Sequence, residues 1–111
     1  MTFSSPLFPE YEAAVRAFNG DPCSANLLLA QEGSLSVYYA PFEWVNRQAK
    51  VVLVGITPGR TQAASALSEA KRSLSAGAAT HEVLRLAKQT GAFSGAMRPN
   101  LVALMDCIGL P

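Results

Sequence analysis

The sequence predicts an α/β domain: a partial three-layer α/β/α arrangement over residues 1–111 with a short, mostly parallel sheet. Three observations predict it. "KVVLVGI" (50–56) is a short, continuous aliphatic run rich in β-branched residues, the pattern of a strand covered on both faces. "VVLVGITPGRTQA" (51–63) carries that run through a Gly/Pro turn into a helical pattern, the order of a β–α unit. Helical stripes then fill the rest of the chain, and no strand follows the last one. A helix in that place ordinarily crosses over to another parallel strand, so the pattern reads as truncated mid-fold after residue 111.

A chain of 111 residues holds at most one domain. Half its residues are hydrophobic and only 15% are charged, which suits a packed core rather than disorder. No apolar run approaches the roughly 20 residues of a membrane helix. "MTFSSPLFPEYEAAVRAF" has no basic segment leading into an apolar block, so no signal peptide is expected. Cys23 and Cys107 form neither a disulfide framework nor a metal site, and a reduced, cytoplasmic setting is expected with no cofactor.

The elements follow in order. Pro9 opens a helix whose apolar face is Tyr11, Ala14, Val15 and Phe18, and Asn19–Gly20 stops it. Asp21–Pro22 reads as an N-cap and proline ahead of a short helix through "ANLLLA" (25–30). "SLSVYYA" (34–40) alternates Leu35, Val37 and Tyr39 against Ser34, Ser36 and Tyr38, a strand period ended by Pro41. After the 50–56 strand and a loop over 57–60, a helix over 62–76 buries Ala63, Ala66, Leu67, Ala70 and Leu74 and ends at Gly77. Thr80 caps the next helix, with Glu82 in its first turn and Val83, Leu84 and Ala87 inward. "TGAFSGAM" (90–97) breaks the pattern. Pro99 starts a last helix with face Leu101, Leu104, Met105 and Ile108, and Gly109 stands at its C-cap.

The net charge of +1 hides an asymmetry. Residues 1–46 hold five acids and one base, net −4; residues 47–111 hold eight bases and three acids, net +5. A basic half that contains the turn suits a phosphate-bearing partner. The turn itself lies where a strand feeds a helix, the carboxyl edge at which open α/β sheets bind ligands. Free N–H groups at the helix start favour an anion, Gly59 allows close approach, Pro58 stiffens the turn and Arg60 adds a phosphate-matching fork. It is neither a Walker loop nor a dinucleotide fingerprint.

Two blocks together resemble the uracil-DNA glycosylase superfamily: Gly55-Ile56-Thr57-Pro58-Gly59, and Ala92-Phe93-Ser94 followed by Arg98-Pro99-Asn100-Leu101. The resemblance covers roughly residues 48–110. It implies hydrolysis of the N-glycosidic bond of a damaged or modified base flipped out of DNA. Phe93 would stack on that base, with Ser94 beside it, and Asn100 would stand at the following helix start. Gly55, Pro58, Gly59 and Arg60 would shape the floor near sugar and phosphate. The water-activating position falls at Thr57 or Ile56. Ile56 has no group for this, and a threonine hydroxyl orients water but is no base near neutral pH. The family's later base-reading strand and His-Pro loop have no counterpart here. His81 precedes Phe93 and reads as solvent-exposed; Trp44 reads as a core or edge residue. Branches that hold an iron–sulfur cluster use four cysteines, and this chain has two.

Three functions follow from these readings. The first is a glycosylase whose natural chain is longer, the 111 residues being inactive alone. The second is a non-catalytic binder of single-stranded DNA, a flipped base or a nucleotide. The third is an interaction module pairing with a partner protein or a second copy through an unpaired sheet edge.

Overall fold

A computed structural model describes residues 7–109. The reading of residues 1–6 as part of an N-terminus without a leader, and the end at Pro111, lie outside the described residues. The chain is mixed α and β: helices α1 (Phe8–Arg16), α2 (Arg60–Ser75), α3 (Thr80–Gly91) and α4 (Met97–Cys107), and strands β1 (Leu28–Glu32) and β2 (Leu35–Tyr38).

Pro9 stands in the first turn of α1, where its missing N–H costs no helical bond. Phe8, Val15 and Phe18 are buried from this segment, following the predicted face. Lys71 of α2 donates to the Phe18 carbonyl at 2.7 Å and fastens the end of α1 to the bundle. Tyr11 stacks on Tyr39 with ring centroids 4.8 Å apart. The buried Tyr39 hydroxyl donates to Glu43. Burial, with the Glu43 hydrogen bond and charge, pushes that phenol upward and keeps it a neutral donor.

The helix expected over 25–30 is a correction. Only Ala25–Leu27 is helical, a single 3-10 turn, and Leu28–Glu32 is β1. β1 pairs antiparallel with β2 through the two-residue turn Gly33–Ser34, with Leu29 as the extra residue of a bulge. Gly33 has φ +59, the left-handed conformation that a tight II′-type hairpin needs at its first central residue. Three consecutive leucines carry no period of their own, so the Gly-Ser turn decided the pairing.

α2 and α3 form the packed centre. Ala66, Leu67, Ala70 and Leu74 of α2 meet Val83, Leu84 and Ala87 of α3 in one core with Phe8, Val15, Leu27 and Tyr39. Fully burying side chains such as Leu67 or Val83 stabilises by about 1.5–3 kcal/mol each. α2 ends in a Schellman arrangement, Gly77 N–H to the Leu74 carbonyl and Ala78 N–H to the Ser73 carbonyl. Gly91 lets the helices touch: a Cβ there would lie 2.8 Å from both Ala66 Cβ and the Gln62 carbonyl oxygen. The cap of α3 is Ala79 rather than Thr80, which is already its first helical residue. Arg98 satisfies the other end of α3, donating to the carbonyls of Gln89 (2.9 Å) and Thr90 (3.1 Å) and to Ala92 (2.5 Å). A cation there also complements the helix dipole.

The described sheet is this antiparallel pair, and it differs from the expected buried parallel strand over 50–56. That segment is irregular, and it is exposed along its length. Val52 is 74% and Val54 91% exposed, and Ile56 is fully so. The physical reason is pairing: an all-aliphatic strand is stable only between neighbours, and the hairpin does not reach it. α4 likewise buries no residue completely; Leu104 and Ile108 of its predicted inner face are 59% and 65% exposed.

Candidate functional site

The two sequence blocks meet. A cavity of about 270 Å³ is lined by Gly55, Ile56, Thr57, Pro58 and Gly59 on one side and by Ala92 and Phe93 on the other. Phe42, Leu53 and Met97 add apolar wall, and Gln62 and Lys88 add polar groups. The size falls just below the roughly 300–1,000 Å³ of sites for drug-sized ligands, so it suits one planar ring system.

Local structure explains the convergence. Gly59 is the extended N-cap of α2, so the 55–59 turn ends where that helix begins. Gln62, in the first turn, donates through Nε2 to the Ser94 carbonyl at 2.9 Å. Ser94 Oγ lies 3.3 Å from Ser65 Oγ. A Cβ on Gly95 would stand 3.6 Å from Thr61 Cγ2. The loop after α3 is thus laid on the first turn of α2. Arg98 ties the preceding carbonyls from the other side.

Phe93 has φ +55, the one non-glycine in the left-handed region among the described residues. For a bulky L-residue that conformation costs about 1–2 kcal/mol. Such strain persists where the surroundings over-determine it, and it clusters at ligand sites. Here the surroundings are the Gln62–Ser94 bond and the Arg98 fork.

The other expected site residues are placed differently. Arg60 is outside that lining and borders a separate, open groove with Phe18, Pro22 and Thr61. Its guanidinium is paired with Asp21 at 3.1 Å and reaches Cys23 Sγ at 3.4 Å. In this structure the Arg60 guanidinium faces Asp21 rather than the cavity lined by Phe93. Asn100 is exposed on α4 and outside the cavity lining. Ser94 supports the loop through its carbonyl rather than facing the cavity. His81 is exposed, as expected. Trp44 is half-buried against the core.

Sequence reasoning missed Gln62, Lys88, Phe42 and Met97. Gln62 had a signal, an amide three residues past the N-cap glycine, the position that reaches back over a helix start. Lys88 had none; it reads as an ordinary helix-surface lysine until α3 is packed beside Trp44.

No family model and no solved structure matches the chain. Over 84 residues it is 42% identical to the uncharacterized protein YoxB of Bacillus subtilis (strain 168), a stretch that is 75% of this chain and 33% of that protein. The chain therefore matches about a third of the length of this relative. Among the described residues no helix is long and apolar enough to cross a membrane.

Proposed function

We propose that the chain carries the base-recognition part of a uracil-DNA glycosylase-like site. The observation that supports it is the single cavity lined by both the Gly55–Gly59 turn and Phe93. Phe93 stacks on a flipped or single-stranded base, and the glycine-containing turn passes the sugar. Thr57, at the wall of the same cavity, orients a water without activating it. Hydrolysis of the N-glycosidic bond belongs to a longer relative that adds a base and a charge stabiliser, in a cytoplasmic DNA-repair role. The parallel, three-layer sheet belongs to the same longer fold, with 51–54 as one of its strands.

The test is titration with a uracil-containing single-stranded oligonucleotide. Stacking of one base on one ring is worth about 1–3 kcal/mol, so Phe93→Ala weakens binding roughly tenfold or more. The chain releases little or no uracil, and Thr57→Asp does not restore release. Lost stability with unchanged affinity overturns the stacking role. Robust uracil release overturns the division between recognition and chemistry.

A second reading rests on a different observation, the exposure of Val52, Val54 and Ile56. An aliphatic run without strand neighbours pairs with another polypeptide, a partner or a second copy.

A further inference from the structure

Lys88 is the one charged side chain lining the cavity. It is half-buried on α3, and its ammonium donates to the Trp44 carbonyl at 2.6 Å. That bond uses one of three donors, and among the described residues no carboxylate lines the cavity and none stands within ion-pair distance of Lys88. Phe42, Leu53, Ile56 and Met97 add apolar lining, on a side where Leu53, Ile56 and Met97 remain open to solvent.

A neutral ring can accept a hydrogen bond from such a cation, whereas an anionic one adds charge pairing to that bond. We infer that Lys88 makes the cavity selective for planar heterocycles that carry negative charge, its two remaining ammonium donors being available to such a ligand. This rests on the base-binding reading of the cavity and adds the charge class of its ligand. Phe93 supplies affinity for the ring; Lys88 supplies the preference among rings.

The experiment uses two free pyrimidines of similar ring size: orotate, an anion at neutral pH, and uracil, which is neutral. Trp44 is the chain's one tryptophan and its carbonyl accepts from Lys88, so its fluorescence is followed for a change on binding. Equilibrium dialysis gives the affinities independently. Orotate is expected to bind the wild-type chain at least tenfold more tightly than uracil. Lys88→Met keeps the apolar stem and removes the charge, and the orotate-to-uracil ratio should fall to within about threefold of one. Lys88→Arg should keep most of the preference. Thermal melts of all variants show whether the fold survives. A wild-type ratio near one, or a ratio unchanged in Lys88→Met, overturns the role of Lys88 while uracil binding that is sensitive to Phe93→Ala leaves the cavity reading standing. Absence of saturable binding of both probes overturns both.

Discussion

Gln62 reaches from the first turn of α2 to the carbonyl of Ser94, 32 residues later, across 2.9 Å. That bond connects the Gly-x-x-Pro-Gly turn to the aromatic loop, and it does so at the residue next to the strained Phe93. Without it, the loop keeps the Arg98 bonds, the Ser94 N–H bond to the Gly91 carbonyl and the Ser94–Ser65 hydroxyl contact.

Gln62→Ala should therefore act on the loop more than on the bundle. Losing a part-buried hydrogen bond costs about 1 kcal/mol. Amide exchange at residues 93–95 should quicken by about fivefold, while the α2–α3 core amides change little. Gln62→Glu should be worse, because a carboxylate would face the Ser94 carbonyl with no donor between them. Unchanged exchange at 93–95 in both variants would show that the loop is ordered by something else.

The φ of +55 at Phe93 separates two costs that an alanine substitution alone confuses. Phe93→Ala and Phe93→Gly both remove the ring, and with it the stacking surface. Glycine also releases the backbone strain. Phe93→Gly should be more stable than Phe93→Ala by about 1 kcal/mol, read from chemical denaturation, while both bind single-stranded DNA equally poorly. Equal stabilities would mean that the loop abandons its left-handed turn once the ring is gone.

Glu69 links α2 to α3 and to acid stability. Burial raises its carboxyl, but hydrogen bonds from Arg72, Ser73 and Thr90 and the Arg72 charge outweigh burial and hold it below the usual glutamate range. A depressed folded-state value means that the unfolded chain binds this proton first. The contribution is present above the ordinary glutamate value, about pH 4.3, and is lost as pH falls through the lower folded value. Glu69→Gln should lower stability at pH 7 by about 1 kcal/mol and flatten the acid limb of the melting curve below pH 5. An acid limb identical to that of the parent chain would remove Glu69 from this role.

Much of the helical bundle was legible because its period is local. Ala66, Leu67, Ala70 and Leu74, then Val83, Leu84 and Ala87, announce the α2–α3 core by spacing, and Gly77 marks the end of α2. The meeting of Gly55–Gly59 with Phe93 was legible only as motif order, since nothing local brings residue 93 onto residue 62. The described sheet departs from the expected one at two places, for different reasons. At 28–32 the leucines lack a period, and the Gly33–Ser34 turn carried the information. At 51–54 the composition is that of a buried strand, but burial is a property of neighbours, and the described chain supplies none. The Arg60–Asp21 contact was not legible, because sequence cannot show that a residue 39 positions earlier stands within reach of its guanidinium.

The exposed run offers the clearest separation of the two functional readings. Val52 and Val54 are two residues apart and both largely exposed, while Leu53 between them lines the cavity. That alternation is the one an extended segment produces, one side toward the pocket and the other free. Val52→Lys with Val54→Lys should leave the chain's stability within about 0.5 kcal/mol, because neither side chain is buried. The same pair of lysines should abolish association through this segment, since charges on an edge block strand pairing. Sedimentation velocity across a concentration series tests the second half. Wild-type chain should associate as concentration rises, and the double variant should stay monomeric. Oligonucleotide affinity should not fall in the double variant, since both substituted positions lie outside the cavity lining. Two monomeric species would remove the self-pairing form of the interaction reading. Loss of oligonucleotide binding together with loss of association would instead mean that the cavity is complete only when this edge is covered.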